Sequence, residues 1–172
     1  TARSFPTPAA FVFGRRSPLS RLFPNNRLTR RYLVGRDKTG VEAYEVDWVS
    51  GACLMIDRES LQQLDGLDER FFMYWEDADI CKRVKSAGGS VWCVPSIRVI
   101  HDEGSSASVV SRRQNARFHR SAYHYAAKHM LVGPWRPVRP VAGVALAARA
   151  ALVLATGSLQ RRDEGANHQR AD

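Results

Sequence analysis

The stretch FFMYWEDADICKR, residues 71–83, decides how this chain is read. An aromatic run, Phe71 to Trp75 broken only by Met73, meets three carboxylates, Glu76, Asp77 and Asp79. From Glu76 to Ala87 the period is helical. Ile80, Val84 and Ala87 fall at i, i+4 and i+7, while Lys82, Arg83 and Lys85 lie off that line. Acids in the first turn and cations in the last match the helix dipole, and Gly88-Gly89 supplies the stop.

Acids at a helix start have a bland role and a chemical one. The bland role is capping the free N–H groups of the first turn. The chemical role is that of a general base, since helix-start amides favour the ionised form that accepts a proton. Helical spacing separates the three acids. Asp77 shares a face with Cys81, whereas Asp79 points elsewhere and is placed to pair with Arg83 at i+4. At most two of the acids can therefore serve one site.

Outward from this block, VEAYEVDWVSGACLMIDR (41–58) reads as a strand interrupted at Ser50-Gly51, and RESLQQLDG (58–66) as a short helix stopped by Gly66. SVWCVP (90–95) and IRVIH (97–101) read as two short strands, with HDEGSSAS as a loop. A second helix is expected over about 111–131. Phe118, Ala122, Tyr125, Ala126 and Met130 form its apolar face, and Arg113, Arg117, Arg120, His124 and Lys128 a basic stripe. VAGVALAARAALVLA (141–155) is apolar but short and carries Arg149; a span needs roughly 20 apolar residues, so an interfacial or buried helix is expected. Residues 1–45 read as a basic, mostly loop-like arm with a short helix near Ala9–Phe13, and 158–172 as a disordered tail.

Charge is segregated along the 172 residues. Residues 1–36 carry +8, residues 37–103 carry −7 and residues 104–172 carry +8, for a net +9. Basic arms suit an anionic partner such as a membrane face. The acidic centre repels phosphate, which argues against a nucleic-acid module. Three cysteines without CxxC spacing fit reduced thiols and a cytosolic setting better than a disulfide framework. No secretory signal is visible, and the missing initiator Met suggests a piece of a longer protein.

His101 closes the second of those strands. A lone histidine is usually structural, but catalytic groups collect in loops at strand ends, and a neutral imidazole is a common metal ligand. Trp48 is either core or a stacking wall for a sugar ring. Gly51 is either a bulge or a point of close backbone approach to a ligand.

Taken in order, W-V-S-G-A (48–52), the G-x-D-E-x-F-F-x-Y-x-E-D-x-D block (66–79), a helix ending in Gly, a strand pair and His101 resemble the C-terminal half of inverting family-two glycosyltransferases, with rhamnosyltransferase-like members nearest. The resemblance spans about 46–131, including RSAYHYAAKHM (120–130). It implies an α/β fold, the C-terminal portion of a GT-A (Rossmann-like) nucleotide-diphospho-sugar transferase followed by C-terminal helices. Residues 46–131 would be the acceptor and catalytic half, and 132–157 an amphipathic or membrane-associated segment. Asp77 would be the base and Glu76 its support. Trp48, Ser50, Gly51 and Ala52 would line the sugar pocket. Asp68, Glu69 and Phe71 to Tyr74 would form the loop that positions the base, and Trp75 would join the substrate-binding set. His101 would hold a divalent metal, Mg²⁺ or Mn²⁺. The implied partners are a nucleotide-diphospho-sugar donor, a lipid-linked or polysaccharide acceptor and an anionic membrane surface, with no nucleic acid. The implied location is the cytoplasmic, inner face of a bacterial plasma membrane.

Two other readings are compatible with part of the pattern. A metal-dependent hydrolase could use Glu76, Asp77 and His101, although adjacent carboxylates do not easily flank one glycosidic bond. A non-catalytic docking fragment is the other. In the family the nucleotide-binding half, ending in Asp-x-Asp, precedes the matched segment, and residues 1–45 offer only Asp37 in GRDKTG. The expectation is that these 172 residues alone neither bind nucleotide-sugar tightly nor turn over. Calorimetry giving metal-dependent micromolar binding would contradict it.

Overall fold

The computed structural model describes residues 2–7, 42–101 and 112–168, with side chains in the last helix as far as Ala155. The expected helix near Ala9–Phe13, most of the basic arm, the acids Asp102 and Glu103 and residues 169–172 lie outside the described residues. The chain forms two compact units, Thr1–His101 and Asp102–Asp172.

The first unit mixes short strands and helices. β1 (Ala2–Arg3) pairs antiparallel with β3 (Trp48–Val49), placing Arg3 opposite Trp48. β2 (Tyr44–Glu45) pairs antiparallel with β4 (Trp92–Cys93), placing Glu45 opposite Trp92. The Val46 N–H donates to the Val91 carbonyl at 2.8 Å, extending that pairing past the end of β2. Residues 41–58 are thus not one interrupted strand but two short ones, followed by a 3-10 turn, Gly51–Cys53. The predicted break at Ser50-Gly51 is where the chain turns.

The expected strand 97–101 is absent. Ile97, Val99 and Ile100 are exposed, Ile100 almost fully, and no described strand pairs with them. A β-strand exists only through its ladder, and alternation in the sequence does not supply a partner.

α1 (Arg58–Gln63) begins at Asp57, whose Oδ1 accepts the Ser60 N–H at 2.8 Å. A hydrogen bond from the Ser60 side chain, and then this backbone bond, hold the Asp57 carboxyl below its usual range. The helix ends with positive φ at Asp65 and Gly66, and the Gly66 N–H returns to the Leu61 carbonyl at 2.9 Å. α2 (Glu76–Ser86) matches the predicted helix. Its exit needs both glycines. Gly88 has φ +89°, and a Cβ on Gly89 would lie 2.8 Å from Val84 Cγ1.

The core of this unit gathers Ala2, Val46, Trp48, Phe71, Ala78, Ile80, Cys81 and Val91. Asp79 is buried with them at 0% exposure. Its Oδ2 accepts Arg83 Nε at 2.8 Å, the predicted i+4 pair. The same guanidinium donates to the Leu64 carbonyl at 2.7 Å and the Gly66 carbonyl at 2.8 Å, satisfying acceptors at the end of α1. Arg83 thus ties α2 to the α1 exit. At the other side of α2, Lys85 Nζ donates to Glu45 Oε1 at 2.7 Å and to the Val46 carbonyl at 3.2 Å.

The second unit is helical. α3 (Arg112–His129) is the predicted basic helix. A 3-10 turn, Gly133–Val138, leads into α4 (Arg139–His168). The two helices run antiparallel. Asn115 Nδ2 donates to the Ala150 carbonyl at 2.9 Å, and the Arg139 guanidinium donates to the Leu131 and Ala127 carbonyls at 3.0 and 2.7 Å. α4 corrects two expectations. Its backbone is helical to His168, through most of the segment expected to be a disordered tail. Together with the turn before it, the helix gives a stretch, 133–155, that is long and apolar enough to cross a membrane; it is almost wholly uncovered, so of the interfacial and buried alternatives the buried one falls.

Replacing Asp79 by Ala leaves the mostly covered Arg83 cation without its counter-ion in the core. The expected loss is about 3–5 kcal/mol of stability, read as a lowered urea midpoint by tryptophan fluorescence. A change within about 0.5 kcal/mol, as for surface positions, would refute the role given to this pair.

Candidate active site

The acid at position 77 sits where α2 meets the turn after β3. Asp77 Oδ2 accepts the Gly51 N–H at 2.9 Å, and Oδ1 accepts the Ala78 N–H at 2.8 Å. Both oxygens are thereby oriented by backbone. The bond to Ala78 is the first-turn capping role; the bond to Gly51 reaches across to the other side of the site. Asp77 is partly exposed and Gly51, Ala52 and Cys53 are exposed, so the carboxylate is open to a small reactant. A Cβ built on Gly51 would touch Asp77 Cβ at 3.5 Å, an ordinary contact. Gly51 meets Asp77 through its amide.

The chain enters α2 under strain. Tyr74 and Trp75 both adopt the left-handed conformation, φ 68° and 72°, where non-glycine residues are uncommon. Such conformations cost roughly 1–3 kcal/mol each and collect at functional sites. Trp75 stands at the N-cap with no side-chain capping bond, so the usual Ser/Asp cap is replaced by this bend plus the Asp77–Ala78 bond. Side-chain types did not announce the strain; it follows from how the loop must turn.

Glu76 differs from its neighbour. One carboxyl oxygen, Oε2, is buried without a hydrogen-bond partner. Burial pushes its pKa up; its own backbone N–H works against that shift, and the charge of Asp77 adds to it. Cys81, one turn after Asp77, is buried. Desolvation raises its thiol pKa, the Val49 backbone opposes the rise, and Asp77 adds to it. The predicted shared face of Asp77 and Cys81 thus faces β3.

The other predicted site residues divide. Ser50 caps the 3-10 turn through a long 3.5 Å contact with the Ala52 N–H. Asp68 is engaged by Arg70, at 2.9 Å from Nε and 2.6 Å from Nη2, and its backbone carbonyl accepts the Phe71 N–H. These bonds hold the loop that precedes α2, while Glu69 is exposed. Trp48 is a correction. It is 4% exposed, its indole N–H donates to the Ser4 carbonyl at 2.9 Å, and Arg3 lies 4.9 Å over its ring. A ring covered in this way has no face for a sugar, so the core reading holds. The aromatic run is also split, with Phe71 in the core and Phe72 73% exposed; only part of it shields the helix start.

His101 is exposed and makes no hydrogen bond or ion pair with Asp77. Among the described residues no group of three or more His, Cys, Asp or Glu could hold a metal ion; Asp102 and Glu103, which follow His101, lie outside them.

A strained loop thus leads into a carboxylate held by two backbone amides. Comparison with known proteins narrows the class. The chain is 33% identical over 156 residues to the N-acetylglucosaminyl-diphospho-decaprenol L-rhamnosyltransferase of Mycobacterium tuberculosis, covering 90% of this chain and 49% of that protein. It is 36% identical over 76 residues to the rhamnosyltransferase WbbL of Escherichia coli K12, covering 41% of this chain and 29% of that one. It is 30% identical over 89 residues to the O-antigen biosynthesis protein RfbC of Myxococcus xanthus, covering 52% of this chain and 6% of that one. No family model and no solved structure matches. The chain is thus a relative of rhamnosyltransferase-like glycosyltransferases, and it spans about half the length of the mycobacterial one. An alignment of 156 residues is longer than the 46–131 span quoted from the sequence, so the similarity takes in much of the flanking arms as well.

The raised Glu76 pKa fixes the sign of a pH effect. A carboxyl titrating higher in the folded state favours folding while protonated, and this contribution is lost as pH rises from the ordinary carboxylate value through the raised one. Glu76→Gln removes that loss. Its stability relative to the parent should therefore grow between pH 4 and pH 7, as read by urea midpoints at both. A gap that narrows with rising pH would mean that the ionised form is the favoured one.

Proposed function

We propose that this chain carries the acceptor-activating part of an inverting glycosyltransferase with a GT-A fold. Its donor would be a nucleotide-diphospho-sugar and its acceptor a lipid-linked or cell-surface saccharide. The observation that carries this reading is the Asp77 carboxylate held by the Gly51 and Ala78 amides on an accessible turn. Two of the relatives are named as rhamnosyltransferases, one acting on a diphospho-decaprenol acceptor, which favours rhamnose and a lipid diphosphate-linked sugar.

In the proposed step, Asp77 takes the proton of an acceptor hydroxyl. The freed oxygen lone pair forms the new bond to the anomeric carbon. The bond from that carbon to the diphosphate oxygen breaks on the opposite side, the electron pair leaves with the nucleoside diphosphate, and the configuration inverts. The two amides orient the base before substrate arrives, so little reorganisation is left to the reaction itself. Glu76, half-buried beside it, supports the acceptor. A divalent cation, with His101 among its ligands, belongs to the same proposal; the proton transfer to Asp77 is independent of it. The inner face of a bacterial plasma membrane is the location that suits such an acceptor.

One observation weighs against a hydrolase acting on glycosides. Such an enzyme needs two carboxylates on either side of one bond. Asp79, the third acid of the cluster, is committed to Arg83 in the core, and Glu76 adjoins Asp77.

The test is Asp77→Asn in the complete protein, assayed for sugar transfer and for donor binding. Turnover should fall by about 10²- to 10⁴-fold with donor affinity retained, because the lost group acts on the acceptor. Transfer close to the parent rate would remove Asp77 from the mechanism.

A further inference from the structure

The second unit has an outer face that the transfer chemistry does not use. Val141, Val144, Ala145, Ala148, Leu152 and Ala155 recur at helical spacing along α4, and all are exposed. On the opposite side of the helix, Gly143, Leu146 and Ala150 face Ala116, His119 and Tyr123 of α3 across a narrow groove. Trp135, 62% exposed, and Val138 continue the exposed apolar surface into the turn before α4. Residues 112–155 hold eight Arg or Lys and no Asp or Glu. Arg112, Arg113, Arg117 and Arg120 are exposed along α3. An exposed apolar stripe on a hairpin whose residues 112–155 carry cations and no acids, with an aromatic at its end, is complementary to one kind of surface: a bilayer carrying anionic headgroups.

Length and composition would also allow α4 to cross the bilayer. The packing argues against it. Asn115, Tyr123 and Ala127 of α3 lie against Ala150, Gly143 and Arg139 of α4, so α3 accompanies α4 along the apolar stretch. A crossing would carry the α3 arginines to hydrocarbon depth. It would also bury Arg149 in hydrocarbon, about 9 Å inside the end of the 133–155 stretch. Lying flat avoids both costs and keeps the stripe out of water.

We propose that the α3–α4 hairpin docks on an anionic bilayer surface as an in-plane element. The stripe Val141, Val144, Ala148 and Leu152 enters the acyl boundary, and the α3 arginines meet the headgroups. This docking stands whether or not Asp77 is a base.

The test is co-sedimentation of the full chain with vesicles of phosphatidylcholine alone or mixed equally with phosphatidylglycerol, at low and high salt. Binding should be stronger to the anionic vesicles and fall with salt. Val144→Glu with Leu152→Glu should lower the bound fraction about tenfold while leaving helical circular dichroism unchanged, since both positions are exposed. Arg113→Gln with Arg120→Gln should cut affinity for anionic vesicles about tenfold and leave binding to neutral ones unchanged. Equal binding to both vesicle types would overturn the proposal. So would unaltered binding of the Glu variant, or retention through high salt and alkaline carbonate, the behaviour of a crossing helix.

Discussion

Arg83 is the contact on which the first unit depends. Its guanidinium answers the buried Asp79 and two carbonyls at the end of α1. A charge taken out of water is tolerated only when it is paired and hydrogen-bonded, so this one side chain fixes both the rotation of α2 and its distance from α1. The rotation matters for chemistry. Positions 77 and 79 lie about 200° apart around a helix. With Asp79 locked inward on Arg83, Asp77 is turned to the side of β3, where the Gly51 amide meets it.

The density of acids in an otherwise basic chain therefore resolves into three tasks. Asp79 is structural, Asp77 is the oriented and accessible carboxylate, and Glu76 is half-buried with a pKa raised by desolvation. The left-handed pair Tyr74 and Trp75 is what brings the chain into α2 at this angle, and the buried Phe71 anchors the loop that holds the pair in place.

The second unit follows a different logic. Its helices bury Ala122, Tyr125, Ala126 and Leu146 and leave Val141, Val144 and Leu152 outside. The apolar residues left outside form one continuous stripe along α4.

Much of this was legible in the residues. Helical spacing gave α2, the Asp79–Arg83 pair, the turn at Ser50-Gly51 and the shared face of Asp77 and Cys81, because each is local to a few residues and follows from periodicity or from the backbone freedom of glycine. Other features were not local. The ladder partners of β2 and β3 come from distant segments, and residues 97–101 alternate like a strand without a described partner. Trp48 could be read as core or as a ligand wall until Ser4 and Arg3 were found against it. The full extent of α4 was hidden by Arg149 and by the polar residues that follow. By itself the sequence determined which residues are acids, where α2 starts and stops, and which of its side chains share a face, since these are set by covalent spacing. Only the tertiary structure decided which acid is buried and which is presented, because burial and the Gly51 amide depend on chain segments brought together across long separations.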